Sequence, residues 1–350
     1  MAEIDKSAPI LVTGGTGFIA GWIIKMLLDD GGTVHATVRD PENKQKVGHL
    51  ETIADQAPGT LKLFKADLLD LGSFAEATGG CELVIHTASP FVMNGITNPK
   101  EQLIRPALEG TRNVLDAVNN SPSVKRVVLT SSVAAIYGDA ADLQSLPGGA
   151  FTEDHWNTTS SESHQAYSYS KLVAEKEAWA MAKAQERWDL VVINPSMVLG
   201  PSLTKYSISG SIGLLKQFGD GTAKFGVPKA NMGMVDVRDV AQAHINAGFT
   251  PTASGRHILS ATEVSLLEIS KILRSHFGDT YPLPKREVPK FMVWLAAPMI
   301  GFTREFVSKN VGFPLKLDNS YSKKDLGIKY RPIEQTIVEH FQQIIDDQLI

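Results

Sequence analysis

The sequence has little of what marks disulfide-stabilised, membrane-spanning or nucleic-acid-binding chains. Its single cysteine, Cys81, excludes an intramolecular disulfide, and its apolar surroundings predict a small buried side chain. There is no long run of lysine or arginine, and the formal net charge of −4 argues against nucleic-acid binding. The most apolar late stretch, Phe291–Phe302, contains Pro298 and is too short to span a bilayer.

The N-terminal residues also lack a targeting pattern. Met1–Pro9 has no basic segment followed by an apolar segment and a small-residue cleavage site, so we expect no signal peptide. With the shortage of cysteine, this predicts a cytoplasmic protein without a membrane or nucleic-acid partner. The chain has 350 residues, of which 43% are hydrophobic, enough for one large domain or two closely joined ones.

The first half of the chain repeats a short apolar run, a turn and a helical pattern. The apolar runs are Ile10–Thr13, Thr33–Val38, Leu61–Ala66, Leu83–His86, Arg126–Thr130 and Val191–Ile193. Such alternation predicts a doubly wound (Rossmann) α/β fold with a parallel sheet. We expect residues 1–195 to form the dinucleotide-binding Rossmann domain, with 230–250 threaded back into it. Residues 196–229 and 251–350 are expected to form a smaller mixed α/β C-terminal substrate lobe.

A glycine-rich turn follows the first strand and opens the first helix. Gly15, Gly17 and Ala20 satisfy the pattern G-x-G-x-x-G/A. Small residues at these positions permit a tight turn, close approach of the backbone to a pyrophosphate, and close helix–strand packing. The positive end of the helix dipole favours phosphate at the same place. The predicted phosphate-binding residues are Gly14, Gly15, Thr16, Gly17, Phe18 and Ile19.

The end of the second strand indicates which dinucleotide is bound. An acid at this point hydrogen-bonds the ribose in NAD sites, whereas a guanidinium suits a 2′-phosphate. Arg39 precedes Asp40 here, and Lys44 and Lys46 add positive charge on the next helix. We therefore predict NADPH/NADP as the cofactor; NADH is the alternative, with Asp40 in the ribose role.

Two further segments carry groups for carbonyl chemistry. The fifth predicted strand ends in Ser131 and Ser132, and Tyr167 and Lys171 lie four apart, on one face of a predicted helix. A tyrosine can protonate a nascent alkoxide if a nearby cation lowers its pKa, and a serine hydroxyl can polarise the carbonyl. Tyr169 has no lysine four residues on, so Tyr167 is the better candidate.

With these motifs in this order, the sequence resembles the extended short-chain dehydrogenases/reductases, within them the dihydroflavonol-4-reductase-like branch of aldehyde and ketone reductases. The matching segments are Val12–Gly21, Ala36–Pro41, Ala66–Leu68, His86–Pro90, Val127–Ser132, Tyr167–Lys171, Asn194–Pro201, Val235–Ala241 and Asp325–Pro332. The resemblance implies an NADP-dependent oxidoreductase acting on CH–OH or carbonyl groups. It also implies a catalytic triad of Ser132, Tyr167 and Lys171.

The resemblance further implies a set of cofactor and substrate contacts. Arg39 and Lys46 would bind the 2′-phosphate. The remaining cofactor contacts would be Asp67 and Leu68 at the adenine, Thr87, Ala88 and Ser89 towards the nicotinamide ribose, Tyr167 and Lys171, and Pro195 and Val198, with Ser196 as a further candidate, at the nicotinamide. The segments Phe91–Met93, Ala134–Tyr137 and Leu199–Ser209 would approach a small-molecule carbonyl substrate.

Departures from the family pattern leave alternatives open. Cinnamoyl-CoA reductases carry Asn-Trp-Tyr-Cys-Tyr at the catalytic tyrosine, where this chain has His164-Gln-Ala-Tyr-Ser-Tyr169, which argues against that activity. We expect His164 to be a solvent-facing loop residue rather than a proton relay. A nucleotide-sugar epimerase or dehydratase and a 3β-hydroxysteroid-dehydrogenase-like enzyme are alternatives; a non-catalytic NADP-sensing protein is a weaker one. We expect no metal, and a monomer or homodimer.

Overall fold

The computed structural model describes residues 3–90, 96–207 and 209–350. Within them, seven strands form one parallel sheet in the order β3-β2-β1-β4-β5-β6-β10. These strands are β1 (Ile10–Thr13), β2 (Thr33–Val38), β3 (Thr60–Lys65), β4 (Leu83–His86), β5 (Arg126–Thr130), β6 (Asp189–Pro195) and β10 (Gly255–Leu259). The helices that alternate with them are α1 (Phe18–Asp29), α2 (Lys44–Gln56), α3 (Ala75–Thr78), α4 (Arg105–Asn119), α5 (Ala166–Lys183) and α7 (Val237–Phe249).

The pattern of side chains on β1 explains why both faces of the sheet are covered. Ile10 and Val12 join the hydrophobic core on the side of α1 and α7, whereas Leu11 joins the core on the side of α4 and α5. Successive strand residues point to opposite faces, so a fully apolar strand requires helices on both sides. The predicted doubly wound fold is confirmed.

The strand order places a crevice at the centre of the sheet. β1 pairs with β2 on one side and with β4 on the other, so the chain changes direction across the sheet at this point. In open α/β sheets, ligands bind beyond the carboxyl ends of the strands at such a reversal. The ends of β1 and β4 are therefore the place at which to look for a dinucleotide site.

The remaining elements build the smaller lobe. A three-stranded sheet contains β7 (Met197–Leu199), β9 (Asn231–Asp236) and β11 (Thr262–Ser265). A two-stranded sheet contains β8 (Val227–Pro228) and β12 (Glu287–Val288). The lobe helices are α6 (Gly210–Gly219), α8 (Leu266–Phe277), α9 (Lys290–Ala296), α10 (Arg304–Asn310), α11 (Ser320–Asp325) and α12 (Ile333–Asp346). Buried residues of α6, α8 and α12 form a common hydrophobic core.

Two details correct the predicted division of the chain. The strand β10 was assigned to the substrate lobe, but it pairs along its full length with β6 in the main sheet. Of the segment 230–250, α7 packs against α1, while β9 belongs to a lobe sheet. This strand contains Arg256 and His257, two polar residues that are typical of a surface strand. Their hydrogen-bond partners lie far away in sequence, so the sequence does not indicate that the strand is buried.

The α9–α10 hairpin has a small core of its own. Val293 and Ala297 pack against Val307 and Val311. The opposite side of α9 is exposed and apolar, with Phe291 and Leu295 on it. No helix in the described part of the chain has the length and hydrophobicity needed to cross a membrane.

Candidate active site

The glycine-rich turn between β1 and α1 has no room for larger residues. Gly14 has a φ of 70°, and a Cβ on it would lie 2.9 Å from the Cα of Ala88. The N–H of Gly15 donates to the carbonyl oxygen of Thr37 at 2.8 Å, which holds the turn against β2. A Cβ on Gly17 would lie 3.1 Å from the carbonyl oxygen of Gly14. The turn is therefore tight, as close approach of a pyrophosphate requires.

The first turn of α1 is left open for an anion. Gly17 is the N-cap, and within the described residues no side chain caps this helix and no acid lies in its first turn. The first N–H groups of a helix have no partner inside the helix. The N–H groups of Phe18 and Ile19, next to Thr16, are thus available to phosphate oxygens, and the helix dipole favours negative charge there. The residues present fit a dinucleotide pyrophosphate.

Beyond β2, the structure separates the candidate charges. The carboxylate of Asp40 accepts the N–H of Glu42 at 3.1 Å, and the ammonium of Lys44 pairs with Glu51 at 2.6 Å. The side chains of Arg39 and Lys46 are exposed and have no ion-pair partner among the described residues. These two cations are free to meet a 2′-phosphate, whereas Lys44 is already engaged.

The predicted adenine contacts lie at the end of β3. Asp67 is exposed and its carboxylate accepts the N–H of Leu69 at 2.9 Å. Leu68 is half-buried against α4, where a Cβ on Gly110 would lie 2.9 Å from its side chain. The side-chain amide of Asn113 donates to the carbonyl oxygen of Leu68 at 2.7 Å. Leu68 is thus fixed at the rim of the crevice.

The ends of β1 and β4 are locked together. The hydroxyl of Thr87 donates to the carbonyl oxygen of Thr13 at 2.6 Å, and the N–H of Ala88 donates to the hydroxyl of Thr13 at 3.1 Å. That hydroxyl also bonds Nδ1 of His86 at 2.8 Å. Burial, assisted by the charge of Lys171, lowers the pKa of His86 to about 3, so this histidine is neutral. Hydrogen bonds therefore hold the carboxyl ends of β1 and β4 together at the base of the crevice.

The two adjacent serines after β5 have different partners. The hydroxyl of Ser131 is buried and donates to the carboxylate of Glu175 at 2.5 Å. The hydroxyl of Ser132 accepts the N–H of Ala134 at 3.1 Å and is hydrogen bonded to Tyr167. Of the two serines, Ser132 is the one hydrogen bonded to Tyr167, and its catalytic role stays a prediction.

Tyr167 and Lys171 lie one turn apart on α5. Tyr167 is 36% exposed, whereas Lys171 is buried and donates to the hydroxyl of Ser89 at 3.0 Å. Burial lowers the pKa of Lys171 to about 8, against the opposing effect of Glu175. Although Tyr167 is partly exposed, desolvation of its hydroxyl by the surrounding protein raises its pKa, and the hydrogen bond with Ser132 partly offsets this. The pKa of Tyr167 is thus raised overall, and its lowering by Lys171 stays a prediction.

Glu175 is a buried acid that was not predicted as part of the site. It lies one further turn along α5, with Lys171 and Ser131 beside it around a small cavity. Its carboxylate also accepts the side-chain amide of Asn194 at 2.8 Å and the guanidinium of Arg256 at 2.5 Å. The sequence could have indicated Glu175 by its spacing, because residues 167, 171 and 175 lie four apart and share one helix face.

The nicotinamide end was predicted at the carboxyl end of β6. Pro195 is buried, Val198 is half-buried on β7, and the N–H of Ser196 donates to the carbonyl oxygen of Leu259 at 2.9 Å. Of the segments expected to approach the substrate, Phe91–Met93 lies outside the described residues. Ala134–Tyr137 follows the carboxyl end of β5, and Leu199–Ser209, of which residue 208 lies outside the described residues, begins at the end of β7.

The expectation for His164 is wrong. The side chain is only 5% exposed, and its Nε2 lies 2.9 Å from the carboxylate of Asp139. Asp139 is fully buried and comes from the segment after Ser132, a contact that the local sequence around His164 does not reveal. His164 is therefore a structural partner of that acid rather than a surface residue.

Comparison with known proteins decides the family. The family model described as "NAD dependent epimerase/dehydratase family" matches residues 10–258. The chain belongs to that family. The predicted resemblance to the extended short-chain dehydrogenases/reductases and their dihydroflavonol-reductase-like branch is confirmed.

The relatives of this epimerase/dehydratase family member include several reductases. The chain is 37% identical over 347 residues to cinnamoyl-CoA reductase CAD2 of Medicago truncatula, covering 98% of both chains. It is 40% identical to tetraketide alpha-pyrone reductase 1 of Arabidopsis thaliana, covering 79% of this chain and 83% of the relative. Among solved structures, yeast methylglyoxal/isovaleraldehyde reductase Gre2 complexed with NADPH is 28% identical, with a TM-score of 0.79 and coverage of 97% and 99%.

These findings bear on two predictions. The relatives are reductases, which confirms the predicted oxidoreductase class, and a solved relative of 28% identity holds NADPH, which confirms the predicted cofactor. The individual contacts and catalytic roles remain predictions.

Proposed function

We propose that this chain reduces an aldehyde or ketone of modest size to the alcohol with NADPH. The observation that carries the proposal is the hydrogen bond between Ser132 and Tyr167, with the buried Lys171 one helical turn away. All three groups lie beyond the carboxyl ends of the sheet strands, where the glycine-rich turn offers its free N–H groups. A proton donor, a polarising hydroxyl and a cofactor site thus lie at the same, carboxyl end of one sheet.

The cofactor would lie across the crevice with its pyrophosphate on the first turn of α1. Arg39 and Lys46 would bind the 2′-phosphate, because both are exposed cations without a partner in the described chain. Asp67 and Leu68 would flank the adenine. The ribose and nicotinamide would follow along Thr87, Ala88, Ser89, Pro195 and Val198. The reduced nicotinamide supplies the hydride.

The side chains would share the proton transfer. Because its pKa is raised, Tyr167 is protonated at neutral pH and has a proton to give to the developing alkoxide. Ser132 would donate a hydrogen bond to the carbonyl oxygen and polarise it. Lys171, with a pKa of about 8, is largely an ammonium at neutral pH, so its charge would stabilise the phenolate that Tyr167 leaves behind.

The alternatives are judged by the same residues. An epimerase or dehydratase that retains NAD would be served by an acid at the ribose. The exposed guanidinium of Arg39, directly before Asp40, instead favours a 2′-phosphate. His164-Gln-Ala-Tyr-Ser-Tyr169 continues to argue against cinnamoyl-CoA as the substrate, although reductases of that name are among the relatives. The cytoplasmic location and the monomeric or homodimeric state stay predictions.

The test is a panel of α-keto esters, diketones, aldehydes and dihydroflavonols, with turnover followed by the loss of reduced-cofactor absorbance. Tyr167→Phe should lower kcat by about 100- to 10,000-fold, the usual contribution of acid catalysis. NADPH binding, measured by quenching of protein fluorescence, should stay near wild type. Tyr169→Phe, on the same helix, is the matched control and should retain turnover. Full activity of Tyr167→Phe, or NADPH binding without turnover of any carbonyl, would overturn the proposal.

A further inference from the structure

The residue two positions before Tyr167 has an unusual backbone. Gln165, the N-cap of α5, has φ 55° and ψ 55°, in the left-handed region that side-chain-bearing residues rarely adopt. Its side-chain amide donates to the carbonyl oxygen of Gly138 at 2.5 Å and to the carboxylate of Asp139 at 2.7 Å. A strained conformation persists only where its surroundings hold it, and such residues cluster at functional sites. The entry to the tyrosine helix is therefore held in place by its contacts with residues 138 and 139.

Asp139 is the centre of a buried cluster. Besides Gln165, its carboxylate accepts Nε2 of His164 at 2.9 Å and the side-chain amide of Asn310 at 2.7 Å. The amide oxygen of Asn310 in turn accepts the N–H of Ala140 at 3.0 Å. We call Asp139, His164, Gln165 and Asn310 the Asp139 cluster. A buried carboxylate needs such donors, so the four residues hold one arrangement.

The cluster joins three segments of the chain, two of which adjoin Ser132 and Tyr167. Asp139 follows Ser132 by seven residues, and Gln165 precedes Tyr167 by two. Asn310 is the last residue of α10, so it brings in the α9–α10 hairpin. Lys309 and Glu305, which also face the cluster from α10, are exposed and pair with each other at 2.7 Å. The Asp139 cluster therefore links the segment that follows Ser132 to the segment that precedes Tyr167.

We propose that the Asp139 cluster positions Tyr167 against Ser132, so that Gln165 and Asn310 control kcat without touching substrate or NADPH. The inference rests on the proposed function, since it concerns the same tyrosine. Transfer of a proton demands close alignment, and a displacement of about 1 Å from a remote change can lower a rate by about 100-fold. Gln165 and Asn310 are thus positioning residues.

The test uses variants that remove the contacts while the chain still folds. Gln165→Gly permits the left-handed backbone but removes both amide hydrogen bonds, and Asn310→Ala removes the contribution of α10. Each should lower kcat by about 10- to 100-fold, while KM and NADPH affinity stay near wild type. Asn246→Ala is the control, because Asn246 is a half-buried amide that bonds the carbonyl oxygen of Leu326 at 2.8 Å away from the site.

The outcomes are separable. A fall in thermal midpoint with unchanged kcat per folded enzyme in Gln165→Gly and Asn310→Ala would mean a merely structural cluster and would overturn the inference. If Tyr167→Phe abolishes turnover while Gln165→Gly and Asn310→Ala keep it, the inference fails and the proposed function stands. If Tyr167→Phe keeps turnover, the proposed function fails and takes the inference with it.

Discussion

Replacing Ser132 and Ser131 by alanine, one at a time, should separate catalysis from stability. Ser132 bonds Tyr167, whereas Ser131 bonds the buried carboxylate of Glu175. Although the two residues are adjacent, the variants therefore remove hydrogen bonds of different kinds. We expect Ser132→Ala to lower kcat with little loss of stability, and Ser131→Ala to do the opposite.

The magnitudes follow from the partners. Loss of one polarising donor lowers kcat by about 100- to 1,000-fold, or roughly 2.7–4 kcal/mol, which is the effect expected for Ser132→Ala. Loss of a hydrogen bond to a charged group costs about 1.5–3 kcal/mol of stability, which is the effect expected for Ser131→Ala. In that variant, Glu175 keeps its hydrogen bonds from Asn194 and Arg256 and a longer one, at 3.4 Å, from Trp179. The kcat of Ser131→Ala should stay close to wild type.

Two measurements check both halves. Steady-state turnover with NADPH gives kcat, and urea unfolding followed by circular dichroism gives the free energy of unfolding. A large loss of kcat in Ser131→Ala together with near-normal turnover of Ser132→Ala would refute the assignment of Ser132.

Two further predictions concern charge. Arg39→Ala should weaken NADPH binding by about 10- to 100-fold, the value of roughly 1.5–3 kcal/mol for a charged hydrogen bond, and leave NADH binding nearly unchanged in fluorescence titrations; an equal loss for both cofactors would contradict the 2′-phosphate role. Because Lys171 acts as an ammonium and burial lowers its pKa to about 8, kcat/KM should fall above about pH 8. Glu175→Gln, which removes the opposing carboxylate, should move that fall to lower pH, and an unmoved profile would contradict the coupling. The same shift should make stability rise from about pH 8 to 10.5, where the unfolded chain still holds the proton that the folded chain has lost.

The main sheet could be predicted because most of its strands are recognisable from their local sequence alone. β1, β2 and β4 are short, apolar and bounded by turns, so their alternation with helical patterns determines a parallel sheet. β10 was misassigned because it contains Arg256 and His257, which look like surface residues. Their charges and polar groups are met by Glu175 and Asp325, 81 and 68 residues away, so only the folded chain shows that the strand is buried.

The site was predictable where one helix or turn carries the signal. Tyr167 and Lys171 share a face of α5 by spacing alone, and the glycine-rich turn precedes α1 in the sequence. The residues around Tyr167 were not predictable, because their hydrogen bonds are long-range. His164 bonds Asp139, 25 residues away, and Asp139 also accepts a hydrogen bond from Asn310, 171 residues away. A left-handed glutamine such as Gln165 leaves no local signal, since glycine and asparagine are the residues that pattern rules expect there.

The separate core of the α9–α10 hairpin has a consequence for engineering. Since Val293, Ala297, Val307 and Val311 pack on one another apart from the other hydrophobic cores, this hairpin is suited to exchange as a module between related reductases. A graft of residues 288–311 would carry its interior with it. It would need to keep an asparagine at position 310, through which the exchanged module reaches Asp139.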